Sequence, residues 1–287
     1  MKIRDILAQG KVTISMEVFP PKTDTAFESV SESVRAISRL HPSFVSCTYG
    51  AGGGTSRYTV EISKIIKAEG VTSMAHLTCI SSTRENARQQ IERIRDAGIE
   101  NILALRGDIP EGMEFPSPRY FEHADQLIEE IRQIYPNVCI GGACYPEKHP
   151  EAHTKSQDIM NIKHKVDAGC DFLTTQMFFD NAIFNNYLYR LREAGVDVPV
   201  IAGIMPVTSR RQIERSIQLS GCVIPAELEA LADRFGDDPA AMKQAGIIFA
   251  SHQIVDLIAN GINHIHVYTM NKPDVAEGIL NNLKGII

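Results

Sequence analysis

The chain has 287 residues, 44% of them hydrophobic, a formal net charge of −6 and no tryptophan. That mild acidity argues against a nucleic-acid or anionic-membrane surface, and no apolar run approaches the roughly 20 residues that span a bilayer. No Ser/Gly tract, proline-rich run or block of like charge marks a linker, and the N-terminus opens on a short mixed helix pattern, not a signal core. A soluble, cytoplasmic protein is expected.

Strand-like and helix-like segments alternate along the chain. Short apolar or β-branched runs bounded by Gly, Pro or polar turns predict strands at Thr13–Phe19, Phe44–Thr48, Ser73–Leu77, Asn101–Leu105, Val138–Gly142, Phe172–Thr175, Val200–Gly203 and His264–Tyr268. Amphipathic spacing predicts helices from Thr83 to Gly98, Ala124 to Ile134, Lys155 to Asp167 and Asn181 to Ala194. Leu219 to Asn260 is longer than one βα unit needs and reads as added helices, one started by Pro225 and another by Asp237-Asp238-Pro239. Eight strands alternating with helices predict an α/β protein, a closed (β/α)8 barrel with extra helices before the last strand. The rival is a dinucleotide-binding sheet, suggested by Gly50-Ala51-Gly52-Gly53-Gly54-Thr55. Its spacing is not G-x-G-x-x-G, no acidic residue closes the next strand, and the unit is not first in the chain.

Six cysteines, Cys47, Cys79, Cys139, Cys144, Cys170 and Cys222, are spread singly with no Cys-x-x-Cys. They predict reduced, buried thiols, and no His/Cys/Asp/Glu spacing points to a metal.

In a barrel the carboxyl ends of all strands converge on one mouth. Here those ends carry Glu17, Thr48-Tyr49, His76, Arg106-Gly107-Asp108, Tyr145 with His149, Gln176, Met205-Pro206, and Tyr268 with Lys272. Leu103-Ala104-Leu105-Arg106-Gly107-Asp108 is the sharpest of them, a buried-strand run ending in a cation, a glycine and a carboxylate. Alone it also fits an Arg–Asp pair on a solvated loop. Glu17 lies within an apolar strand, where an ionised carboxylate is costly, so it is the candidate proton donor. His76 alone would read as a hydrogen-bonded core group.

Together these segments resemble the methylenetetrahydrofolate reductases of the short bacterial type. The resemblance rests on Met16-Glu17-Val18-Phe19-Pro20-Pro21-Lys22, Val45-Ser46-Cys47-Thr48-Tyr49-Gly50-Ala51, Ala75-His76-Leu77-Thr78-Cys79, Ala104-Leu105-Arg106-Gly107-Asp108 and Tyr145-Pro146-Glu147 through Ala152. It continues in Lys165-Val166-Asp167-Ala168-Gly169, Thr175-Gln176-Met177-Phe178-Phe179-Asp180, Gly203-Ile204-Met205-Pro206-Val207 and Tyr268-Thr269-Met270-Asn271-Lys272.

The resemblance implies non-covalent FAD at the mouth and reduction of 5,10-methylenetetrahydrofolate to 5-methyltetrahydrofolate by a ping-pong cycle. It makes Glu17 the general acid and Asp108 a carboxylate beside flavin and pterin, with Gln176, Gln212 and Lys272 at folate-contacting positions. It places FAD contacts at Thr48, Tyr49, Ala51, His76, Arg106, Gly107, Asp108, His123, Ala124, Tyr145, His149, Ala152, Asp158, Asn161, His164 and Lys165. Arg106 and Lys165 suit pyrophosphate oxygens.

Three positions depart from a common enteric form. His164 and Lys272 each replace an arginine, and Ser216 stands where a phenylalanine stacks with the nicotinamide cofactor. The electron source therefore stays open between NADH, NADPH and a partner protein, with Tyr49 and Phe178 as candidate substitute aromatics. One catalytic domain, residues 1–287, is expected, without the regulatory domain of animal homologues or control by S-adenosylmethionine. Assembly as a homo-oligomer is also expected.

Overall fold

Thr13–Val18 (β1) is buried along its whole length, yet its side chains alternate in chemistry. Ile14, Met16 and Val18 enter the apolar clusters of the core, leaving Thr13, Ser15 and Glu17 on the opposite face. A strand with one apolar and one polar face, both covered, belongs in a barrel whose outside is packed by helices. The computed structural model, which describes residues 1–49, 56–80, 82–109 and 115–287, has that form.

The strands β2 (Val45–Cys47), β3 (Ser73–Thr78), β4 (Asn101–Leu105), β5 (Cys139–Cys144), β6 (Phe172–Thr175), β7 (Val200–Ile204) and β8 (His264–Tyr268) follow in order around a closed barrel. Every pairing is parallel, and β1 pairs with both β2 and β8. The helices are α1 (Ile3–Leu7), α2 (Phe27–Ser38), α3 (Ser56–Ala68), α4 (Arg84–Asp96), α5 (Ala124–Ile134), α6 (Lys155–Asp167), α7 (Asn181–Glu193), α8 (Arg210–Ser220), α9 (Ala226–Phe235), α10 (Pro239–Ala259) and α11 (Pro273–Leu283).

The expected architecture holds, with local differences that have identifiable causes. β1 stops before Phe19 because the Asn271 side chain takes both backbone groups of Phe19, N–H to Oδ1 at 2.7 Å and Nδ2 to C=O at 3.0 Å. β5 starts after Val138, whose N–H is held in a turn by Tyr135 O. The long stretch before β8 resolves into α9 and α10 as expected, but α8 is additional. Its inward positions include the small polar residues Ser216 and Ser220 beside Ile213.

The N-terminal end of the barrel is closed. Ile3 and Leu7 from α1 cluster with Phe44, Met74, Leu103, Cys139, Phe172 and Ile201. Buried Asn101 ties this plug down, accepting from Ile3 N–H at 2.7 Å and donating to Ser73 O at 3.0 Å. The opposite end is where polar strand termini gather. All six cysteines are free and buried, and burial pushes Cys79, Cys139, Cys144 and Cys170 up to about 12, as inert thiols require. Among the described residues no helix is long and apolar enough to cross a membrane.

Gly203 on β7 makes room at the mouth for Tyr268, whose hydroxyl donates to Thr175 O at 2.5 Å. A β-carbon there would lie 2.4 Å from Thr175 O and 2.6 Å from the Tyr268 hydroxyl. Gly203→Ala should therefore destabilise the fold by about 1–3 kcal/mol through overpacking. A lowered midpoint in denaturant unfolding at unchanged slope is the expected reading.

Candidate active site

The inward positions of β1, β3 and β8 meet in one buried group. Glu17 is 8% exposed, with Oε2 3.6 Å from His76 Nε2 and 3.7 Å from His266 Nε2. Both separations exceed a hydrogen bond. Burial is the main influence on His76, which is lowered to about 4, Glu17 opposing the shift and His266 adding to it. His76 is thus a neutral imidazole at pH 7, and the contact with Glu17 is not an ion pair. Its Nε2 is buried without a hydrogen-bond partner. Burial, reinforced by the Glu17 carboxylate, also holds the Cys47 thiol and the Tyr268 phenol well above their ordinary values.

His266 was not among the residues expected at the site. Its signal lay in alternation: His264, His266 and Tyr268 share one face of β8, in register with Thr13, Ser15 and Glu17. The turn after β8 then clamps the end of β1. Thr269 Oγ1 donates to Glu17 O at 2.6 Å, and Met270 and Asn271 both adopt left-handed backbone (φ 54° and 55°) to bring the Asn271 amide onto Phe19. Two successive non-glycine residues in that region mark a turn held by its surroundings.

A second group forms across the mouth, from β4 to α6. Arg106 pairs through both terminal nitrogens with Glu151, not in the Arg106–Asp108 pair that the motif taken alone also fits. The fork holds the Glu151 carboxyl below its usual range. Gly107 turns the chain at φ 82°, and a β-carbon there would lie 3.1 Å from Thr78 Cβ. Asp108 is exposed, and its charge assists burial in raising Tyr145 to about 12. The rings of Tyr145 and His149 meet edge-on at 4.7 Å. His149 N–H donates to buried Asp158 at 3.1 Å, and Ala152 N–H donates back to His149 O at 3.0 Å.

Asp158, Asn161 and Lys165 share one face of α6 by their spacing, with exposed His164 beside them. Lys165 Nζ donates to Ala143 O at 2.8 Å, and burial lowers its pKa. His123 sits at the N-cap of α5 ahead of buried Ala124, close enough to help lower Glu151.

The third group follows β6, β7 and β8. Lys272 Nζ donates to Thr208 Oγ1 at 2.8 Å, which donates to Gln212 Oε1 at 3.0 Å. Gln212 Oε1 also accepts from Thr208 N–H at 2.6 Å, leaving the amide nitrogen to face outward chemistry. Gln176 turns its own Oε1 to Met177 N–H at 3.0 Å. Thr48 O accepts from Thr59 Oγ1, and the Tyr49 hydroxyl bonds Ser82 Oγ at 2.9 Å. Ala51 lies outside the described residues. Phe178 is fully buried and stacked on Phe184 at 5.0 Å, so it offers no face to a ligand. Ser216 is buried too, its hydroxyl 3.5 Å from Met177 Sδ.

A closed (β/α)8 barrel with a buried carboxyl and two imidazoles at its open end, facing a rim of cations and aromatic rings, defines an enzyme of the barrel class. The chain matches the family described as methylenetetrahydrofolate reductase over residues 2–284, and it belongs to that family. It is 35% identical over 276 residues to the 5,10-methylenetetrahydrofolate reductase of Escherichia coli, covering 96% of this chain and 92% of that one. It is 36% identical over 295 residues to methylenetetrahydrofolate reductase (NADH) 1 of Arabidopsis thaliana, covering 98% of this chain but only 50% of the plant protein. A solved structure from Clostridium thermocellum, described as binding two copies of 5-methyl-5,6,7,8-tetrahydrofolic acid, shares the fold at a TM-score of 0.68 and 15% identity, with full coverage of both chains.

Neutral burial of His76 makes stability depend on pH. Its folded value, about 4, lies below the unfolded value near 6.5, so the unfolded chain binds the extra proton between them. This contribution is complete above pH 6.5 and is lost as pH falls toward 4, up to about 3 kcal/mol. His76→Gln should flatten that part of the stability profile in denaturant titrations at pH 4.5 to 7.5.

Proposed function

We propose that this chain reduces 5,10-methylenetetrahydrofolate to 5-methyltetrahydrofolate, using FAD and electrons from NADH. The observation that carries the reading is Glu17, a carboxyl buried at a barrel strand end between imidazoles, in a chain that matches the reductase family along nearly its full length. The NADH assignment is supported by the plant relative's name.

The mouth suits a flavin dinucleotide. Gly107, with its positive φ, lets a ligand approach the backbone. Lys165 has one carbonyl partner and so keeps donors for a pyrophosphate, while His76 Nε2 is a buried polar atom in need of a partner. Thr48, Tyr49 and His76 would hold the cofactor from one side of the mouth. Arg106 through Asp108, His123, Ala124, Tyr145, His149, Ala152 and the α6 face would hold it from the other, with Ala51 added by family resemblance. When bound, FAD supplies a two-electron hydride carrier between donor and folate.

The chain's own residues supply protons, charge and orientation. Glu17 would give a proton to the methylene-bearing nitrogen whose bond must open. Its neighbour His76 is neutral, so that ring adds no positive charge beside the carboxyl. The apolar plug beneath keeps water from reaching the group from below. Gln176 and Gln212 would orient the pterin, Lys272 would meet the carboxylate tail, and Asp108 would place negative charge beside both ligands.

Glu17→Gln should retain FAD and accept electrons from NADH while the folate half-reaction falls by about 10²–10⁴-fold, the usual worth of general acid catalysis. Stopped-flow of the two half-reactions reads this directly, and equal slowing of both would make Glu17 structural. Asp108→Asn should raise the midpoint potential of the bound flavin, because a negative charge no longer opposes its reduced anionic form. A redox titration showing no rise would place Asp108 away from the ring.

A further inference from the structure

Beneath Glu17 lies a closed polar group for which no role has yet been given. His266 is 1% exposed, and Ser15 and Ser46 are fully buried. Ser15 Oγ lies 2.7 Å from His266 Nδ1 and 2.9 Å from the Ile265 carbonyl oxygen. Ser46 Oγ lies 3.2 Å from His266 Nε2, the same nitrogen that faces Glu17 Oε2 at 3.7 Å. Phe44 stacks on the imidazole at 5.8 Å and belongs to the apolar floor.

A serine hydroxyl has one hydrogen, and a carbonyl oxygen can only accept. Both Ser15 contacts are hydrogen bonds only if its hydrogen goes to Ile265 O and the imidazole donates from Nδ1. The reverse arrangement leaves two oxygens 2.9 Å apart with no proton between them. In the Nδ1–H tautomer Nε2 is an acceptor, and the hydroxyl of Ser46 at 3.2 Å donates to it. Neither the ring nor Ser46 then has a hydrogen to give the Glu17 carboxyl.

We infer that Ser15 is a positioning residue that holds His266 as its Nδ1–H tautomer, so that the Nε2 facing Glu17 carries no hydrogen and gives the carboxylate no hydrogen bond. The inference rests on the proposed role of Glu17 as proton donor. Among the described residues, the titratable groups facing Glu17 are His76 on β3, His266 and Tyr268 on β8, and Cys47 on β2. Cys47 and Tyr268 give their hydrogens to the carbonyls of Thr48 and Thr175, so the imidazole nitrogens of His76 and His266 are left to meet the carboxylate, and the tautomer of His266 sets what the second of them offers.

The test is ¹⁵N NMR of histidine-labelled holoenzyme, with His266→Asn used to assign the ring signals, beside the pH profile of the folate half-reaction. The wild type should show a protonated, pyrrole-type Nδ1 and a pyridine-type Nε2. Ser15→Ala removes the acceptor for Nδ1–H, so the ring should switch to Nε2–H and donate to the carboxylate. A hydrogen bond to a charged group shifts such an equilibrium about 10-fold, so the high-pH limb should move down by about one pH unit. Flavin reduction by NADH should be unchanged, and Ser15→Thr, which keeps the hydroxyl, should restore tautomer and limb together. An Nε2–H tautomer in the wild type overturns the inference whatever the variants do. So does a tautomer switch in Ser15→Ala with an unmoved limb. If Glu17→Gln spares the folate half-reaction, the reading of Glu17 fails first. A normal Glu17→Gln defect with an unmoved Ser15→Ala limb overturns this inference alone.

Discussion

The ladder between the first strand and the last is the constraint on which the mouth depends. Closing β8 onto β1 sets Ser15 opposite His266 and Glu17 opposite Tyr268, residues some 250 positions apart in the chain. No local propensity brings these groups together. They meet because eight parallel strands, each apolar on its outer face, can bury that face under helices on all sides only by curling shut. The turn after β8 then finishes the job, with Thr269 and Asn271 bonded to the backbone at the end of β1. The position of Glu17 and its neighbours is a consequence of barrel closure.

Burying so many polar groups inside a barrel is unfavourable unless each finds a partner, since an unpaired buried donor or acceptor costs about 1–3 kcal/mol. The interior deals with this in layers. The lowest is apolar, from α1 up through Phe44, Met74 and Phe172. The middle pairs hydroxyls with His266. The uppermost holds Glu17 and the orphan nitrogen of His76, and it is the layer that faces the mouth.

Much of this was legible in the chain. The strand count, the added helices before the last strand and the strand-end residues all follow from short apolar runs cut by glycine, proline or polar turns. Glu17 was visible because a carboxylate is out of place in such a run. Other features were hidden for physical reasons. The inward face of α8 carries the small polar residues Ser216 and Ser220 beside Ile213, so few large apolar side chains mark it. His266 looks like any strand histidine until pairing sets it beside β1. Glu151 as the partner of Arg106 was hidden because it lies 45 residues away and is brought in by the next βα loop. Phe178 seemed available at a strand end but faces outward to Phe184.

The Arg106–Glu151 fork bears on selectivity. Glu151 is more than half exposed, so releasing it to water is cheap, yet it is tethered beside the guanidinium. A tethered carboxylate acts as a resident competitor, present at an effective concentration in the millimolar range for a short flexible connection. Stray phosphate or carboxylate metabolites that would grip Arg106 alone must outcompete that group. A ligand held as proposed by Arg106 together with Lys165 and the α6 face would displace it through its other contacts. The loop from His149 to Ala152 would then work as a threshold, discarding partial matches at the rim while admitting a molecule long enough to span it.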